Sequence, residues 1–260
     1  MLTTLTFRGQ DYRADLATPV SLALPLKPDA SSIRAWDAPP VEVAPVRVGD
    51  WVGEVRQGAP VNFVNVRVNP HGNGTHTETV GHIAPDWDYN TVLRLLPPGH
   101  FVSILHDAGT NVCDDGDSVV DCSGLRQNPP DAPGLIVRAL GRDHEDANLS
   151  GTNPPYFRAE DLAFLADCGV QHLITDLPSV DREEDGGALA GHHAFWRYPN
   201  AVRHSATITE LARLNFDLAE GLYLTSLNAL PLAADASPSH PLIYLLARTE
   251  APAPKPTTPS

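Results

Sequence analysis

The stretch "NPHGNGTHTETVGHI", Asn69 to Ile83, gathers three of the eleven histidines of this 260-residue chain, with one glutamate and three glycines among them. His76 and Glu78 are one residue apart, so in an extended segment both point to the same side. His82 follows His76 by six residues, again an even spacing. His71 lies five residues before His76, across Gly72, Asn73 and Gly74, where no regular spacing holds because glycine lets the chain fold back tightly. The preceding run "VNFVNVRV", Val61 to Val68, alternates apolar and polar residues and reads as a strand that delivers this loop to a sheet end. Imidazole nitrogens beside a carboxylate suit Zn²⁺, Mn²⁺ or Fe²⁺.

Outward from this loop, "HFVSILHD", "GLIVRALG", "HLITDL", "GLYLTSLNALPL" and "HPLIYLLAR" are short apolar runs bounded by Gly, Pro or Asp, and they read as strands. One helix is clear: "RAEDLAFLADCGV" sets Leu162, Leu165 and Ala166 on one stripe and ends at Gly169. "NTVLRLLP" fits a helix or a strand. Many strands with few helices predict a sheet-dominated α/β or α+β domain. No internal repeat or domain break is visible, so residues 1–249 are expected to form a single domain. Residues 250–260, with "APAPKPTTPS", lack the apolar bulk to offset their own ordering and are expected to be a disordered tail. "AWDAPPVEVAP" reads as a surface excursion.

The formal net charge of −14 argues against a nucleic-acid partner, which needs clustered Lys and Arg. No apolar run is long enough to span a membrane. "MLTTLTFRGQDYRADL" has no apolar segment before a small-residue cleavage site, so a cytoplasmic location is expected. Cys113, Cys122 and Cys168 are then expected as free thiols, although a disulfide across "CDDGDSVVDC" is sterically conceivable. No Cys-x-x-Cys pair suggests structural zinc.

The second half offers groups that could complete a metal site. "ITDLPSVDREEDGGALAGHHAFW" carries Asp176, Asp181, His192 and His193. The two neighbouring histidines face different ways, so at most one points inward. "ATITELARLN" places Glu210 in a nearly uncharged run; at the start of a helix such a glutamate would simply meet the dipole. Asp176 and Asp181 could cap turns or orient a ligand histidine. Trp51, Phe63, Phe195 and Trp196 could stack on a ring or fill the core.

"GNGTHTETVGH" resembles the His-x-Gly-Thr-His-x-Asp-x-Pro-x-His signature of the putative cyclase family, which includes kynurenine formamidases (arylformamidases) and isatin hydrolases. "ADLATPV" is similar to the family's opening strand. "GTNPPYFRAEDLAFLADCGVQHLITDLPSVD" is similar to its helix-then-strand unit. "TELARLN" resembles its Glu-Asn-Leu segment, and "LNALPLAADASPSHPLIYLLA" its last hairpin. The match runs in order from about residue 14 to 248. It implies a swivelling β/β/α fold, assembly as homodimers or higher oligomers, and a site for one or two divalent metals, zinc first and manganese second. By matching position, His76, Glu78, His192 and Glu210 are implied as ligands, and His82 as the catalytic histidine. The family spacing puts Gly72 at the first ligand position, so His71 serves if the loop absorbs one extra residue. Glu78 stands where the motif has aspartate, the motif proline is missing, and "RYPNAVR" lengthens the interval between His192 and Glu210.

The resulting expectation is a metal-dependent hydrolase of an amide, lactam or ester bond in a small molecule, of the arylformamidase kind. A divalent ion would activate water and polarise the carbonyl, and His82 would carry a proton. The alternatives are a cyclase or dehydratase acting through a stabilised enolate, and a metal-binding protein without turnover.

Overall fold

The apolar runs become strands whose successive side chains enter different layers of the core. The computed structural model describes residues 1–29, 32–87, 99–141 and 147–249. In chain order the first strands are β1 (Leu2–Phe7), β2 (Gln10–Asp15), β3 (Val20–Ser21), β4 (Glu42–Pro45), β5 (Arg47–Val48), β6 (Trp51–Val52), β7 (Val64–Arg67) and β8 (His76–Glu78). They are followed by β9 (Phe101–Asp107), β10 (Thr110–Val112), β11 (Ser118–Val120), β12 (Gly134–Arg138), β13 (His172–Thr175) and β14 (Thr207–Glu210). The last are β15 (Gly221–Ser226), β16 (Ala236–Pro238), β17 (Leu242–Leu245) and β18 (Ala247–Arg248). Among the described residues three α-helices accompany them: α1 (Ser123–Gln127), α2 (Ala159–Asp167) and α3 (Ala190–Trp196). "NTVLRLLP" and the Pro-rich 250–260 lie outside the described residues.

Nine strands form the main sheet, in the order β16-β8-β14-β13-β12-β9-β15-β17-β3. Its centre is parallel, from β9 through β12 and β13 to β14. Both flanks are antiparallel. The central strands are buried on both faces and therefore read as continuous apolar runs rather than as alternation. Leu135 and Val137 of β12, Leu173 of β13 and Ile208 of β14 pack on one face with Leu162 and Leu165 of α2 and Phe195 and Trp196 of α3. Ile136 and Ile174, their alternates, pack on the other face with Leu22, Leu105, Tyr223 and Ile243. Phe195 and Trp196 are thus core residues, and the Trp196 indole donates to Ala206 O at 2.9 Å. Helix α2 lies where its stripe predicts and ends just before Gly169.

The strand read over Val61 to Val68 does form, as β7, but it does not join the main sheet. It pairs with β4 and, with the β5–β6 ribbon, builds an arm from residues 42–67. Its alternation predicts one buried face, yet Val43, Val48, Phe63, Val64 and Val66 are all exposed. No described helix is long and apolar enough to cross a membrane. The three cysteines are free, and burial pushes the Cys122 thiol up to about 12.

Candidate metal centre

Strand β8 is the floor of the site. It lies between β14 and β16, with His76 opposite Glu210 on one side and Pro238 on the other. Because His76 and Glu78 alternate with Thr77, both turn to one face, and the register brings Glu210 to that face too. Thr77 turns away and bonds Thr209 Oγ1 at 2.8 Å and Ser239 Oγ at 3.0 Å. Glu210 therefore closes a strand; it does not open a helix. One of its oxygens accepts the Val180 N–H at 2.8 Å, and the other lies 3.4 Å from His76 Nε2.

His192 arrives on α3. Asp181 accepts the N–H groups of Gly191 at 2.6 Å and His192 at 3.1 Å, and it also takes His192 Nδ1 at 2.6 Å. It is both a helix cap and the partner that orients the ring. A Cβ on Gly191 would stand 2.7 Å from Asp181 Oδ1 and from Leu162 Cδ1, so only glycine admits this approach. Asp176 has the other role alone: it accepts the N–H groups of Ala139, Leu140 and Gly141. His193 faces elsewhere, toward Tyr198 O.

His76, Glu78, His192 and Glu210 are all at most 3% exposed. The Nδ1 of His76 meets the carbonyl of Gly74, an acceptor, so Nδ1 carries the proton. The same holds for His192 against the Asp181 carboxylate. Each ring thus offers a bare Nε2, and both of these atoms lack a hydrogen-bond partner, as do both oxygens of Glu78. His192 Nε2 lies 3.5 Å from Glu78 Oε1 and 3.9 Å from Glu210 Oε1. Acceptors facing acceptors in a dry space are costly. Protons can relieve this. Burial disfavours an imidazolium at His192, but Glu78 and Asp181 outweigh it and push the ring up to about 10. Burial and the charge of Glu78 push Glu210 up to about 7. Burial also opposes ionisation of Glu78, yet His82 and His192 hold it well below the usual range. A divalent cation relieves the same conflict without protons, so the donor set fits a metal.

His82 reaches this cluster, though not by extension of β8. The strand stops at Glu78, and a 3₁₀ turn over Val80–His82, capped by Thr79, swings the ring back to 3.7 Å from Glu78. His71 comes in from the other side, its ring 5.1 Å from that of His76 and 4.5 Å from that of His82. Position 72 could not do this. A Cβ on Gly72 would stand 2.3 Å from Ala38 Cβ and 2.8 Å from Ala35 O, so the loop absorbs its extra residue and His71 is the ring that enters. His71, His76 and Glu78 lie close enough to share one ion, as do Glu78, His82 and His192.

Two residues here escaped the sequence reading. Asp235, the residue just before β16, sits 2.9 Å from His71 Nε2 and 3.0 Å from His82 Nδ1. Those two bonds hold its carboxyl far below the usual range. Its signal was available: like Glu210, it is a lone charge in an uncharged run, "LPLAADASPSH". Trp36, from the supposed surface excursion, lines a cavity of about 460 Å³ above the cluster, with Leu189, Ser179 and Arg182. The backbone at Trp36 and Leu189 is left-handed, an unusual state for large side chains. Trp51, Phe63, Phe195 and Trp196 do not line it.

The family model described as "Putative cyclase" matches residues 15–182, from the opening strand through the His loop to Asp181 and Arg182. The chain belongs to this cyclase family. Among solved structures, this family member is similar to a "potential metal-dependent hydrolase with cyclase activity" at 15% identity and TM-score 0.61, over 87% of this chain and 98% of that one. It is similar to an isatin hydrolase bound to the product analogue thioisatinate at 14% identity and TM-score 0.58, over 89% and 92%. It is similar to isatin hydrolase A from Labrenzia aggregata, bound to benzyl benzoate, at 17% and 0.57, over 88% and 96%. At these identities the likeness is one of fold: a sheet-dominated α/β domain of cyclase type, as the sequence led us to expect.

Proposed function

We propose that this cyclase-family protein is a metal-dependent hydrolase that opens an amide, lactam or ester bond in a small molecule, with arylformamidase-like C–N cleavage as the finer expectation. The observation that carries the reading is the convergence of bare His76 Nε2, bare His192 Nε2 and both oxygens of Glu78 in a buried space. In this reading His71, His76, Glu78, His192 and Glu210 hold the ion, and zinc is the first candidate, with manganese second. A divalent ion at such a site supplies Lewis-acid activation of water and of a carbonyl.

The chain's own residues do the rest. His82, part-exposed at the cavity floor, receives a proton at Nε2 and returns it to the leaving group. Asp181 fixes the His192 ring, and Val180 N–H fixes one oxygen of Glu210. Trp36 and Leu189 offer apolar walls to the substrate. The fold shared with isatin hydrolases, whose chemistry opens a lactam, agrees with this reading, as does a proton-carrying histidine that a simple metal store would not need.

The same reading takes residues 1–249 as one functional unit and assigns the apolar arm to self-association as a homodimer or larger assembly. Elemental analysis of protein purified without chelator, followed by a screen of N-formyl aromatic amides, isatin and simple lactones, tests it. Bound metal and chelator-sensitive turnover are expected, and His76→Ala should lose both. A chain that stays metal-free after reconstitution with zinc and with manganese would refute it.

A further inference from the structure

We infer that Asp235 is a positioning residue that fixes His82 and His71 in opposite tautomers through one carboxylate oxygen, and the inference rests on the proposed role of His82 as proton carrier. Its Oδ2 lies 3.0 Å from His82 Nδ1 and 2.9 Å from His71 Nε2. An ionised carboxylate only accepts. Both facing nitrogens therefore carry hydrogen, and the bare nitrogens are Nε2 of His82 and Nδ1 of His71. The bare Nε2 of His82 is 3.7 Å from Glu78, too far for a hydrogen bond, so its lone pair stays available for a reacting proton.

Asp235 is itself tied to the turn that carries His82. Its carbonyl accepts the Thr79 N–H at 3.1 Å and the Thr79 hydroxyl at 3.2 Å, and Thr79 caps that turn. The next residue, Ala236, pairs with Glu78. Backbone and side chain thus hold one geometry from two directions, the arrangement that keeps a proton carrier in a single orientation. The two rings pack against each other with centroids 4.5 Å apart.

The test uses the full chain with ¹⁵N-labelled histidine, as purified and again after zinc addition. Long-range ¹H–¹⁵N correlations report each tautomer, assigned with His82→Gln and His71→Gln. We expect His82 as the Nδ1–H form and His71 as the Nε2–H form in the wild type. Asp235→Ala should release His82 into a mixture, and the shape-preserving Asp235→Asn should do so in part if the alanine variant does not fold. On any probe the wild type hydrolyses, Asp235→Asn assayed at saturating zinc should lower kcat by about 10–100-fold with KM unchanged, and because Asp235 also orients His71 its metal affinity should fall by no more than that same factor. A wild-type His82 bearing its proton on Nε2, or a tautomer unmoved in the Asp235 variants, would overturn the inference. So would a second equivalent of zinc bound by the wild type and lost with Asp235, which would make this carboxylate a ligand. If the wild type turns over no probe, the hydrolase reading fails while the spectra still decide the role of Asp235.

Discussion

His76 and His192 stand on different elements, far apart in sequence, yet both are prepared in one way: Nδ1–H is held by an oxygen, and Nε2 is left bare toward two carboxylates. Glu210 is the carboxylate whose change best separates charge from shape. Glu210→Gln keeps the bond from Val180 N–H but removes the negative charge facing His76. Metal affinity should fall by more than the roughly 10–100-fold typical of an outer partner, with the thermal midpoint of the metal-free protein little changed; equilibrium dialysis and a melting curve check both. His82→Ala should retain the metal and lose about 10²- to 10⁴-fold in kcat on a hydrolysed probe. His71, His76 and Glu78 stood out because rare residue types crowd into a glycine-rich loop, whereas His192 and Glu210 were picked out only by the family resemblance. Asp235 carried the same lone-charge signal as Glu210 and was missed, whereas Trp36 was not legible, because a lone tryptophan acquires meaning only from what the fold sets opposite it.

At the scale of elements, strand positions were legible wherever burial on both faces left continuous apolar runs, as in β12 and β13. The route of His82 was not: even spacing suggests extension, and only the Thr79 cap reveals the turn. The seam between α2 and α3 carries a testable constraint. Gly191→Ala puts a methyl against Asp181 and Leu162, so it should cost about 1–3 kcal/mol as overpacking does and weaken metal binding through the displaced His192; urea unfolding and dialysis measure the two effects. A second constraint lies between β13 and β14. His172 packs on Phe101 at 4.3 Å and pairs with Thr207 Oγ1 at 3.0 Å. Burial, aided by Arg203, lowers its pKa to about 4. Below about 6.5 the unfolded chain takes up a proton that the folded chain refuses, so stability falls as pH drops through this window and levels off below about 4. Relative to His172→Gln, the wild type should lose up to about 3 kcal/mol more between pH 7.5 and pH 4, read from urea midpoints at each pH.

On the scale of the whole molecule, the arm of residues 42–67 leaves apolar side chains that no described residue covers. Val48 is 67% exposed, Val66 60% and Phe63, just before β7, 56%. Folded monomers rarely leave so many neighbouring apolar side chains in water. The sequence made the strand legible but could not say what would cover it, since pattern records the need for burial and not its source. Phe63→Asp with Val66→Asp should lower the sedimentation coefficient from that of an oligomer toward that of a monomer, while metal content holds. An unchanged coefficient would remove the arm from the assembly.

Strand β8 is zipped on both edges, by β14 and by β16, and neither partner exists until residues 207–238 have been made. During synthesis the histidine loop therefore emerges from the ribosome long before anything can organise it. The His/Glu cluster can therefore be framed on both sides only after β16 has been made. If the cluster holds the proposed ion, a fragment ending at residue 230 should bind zinc no more tightly than an unfolded chain.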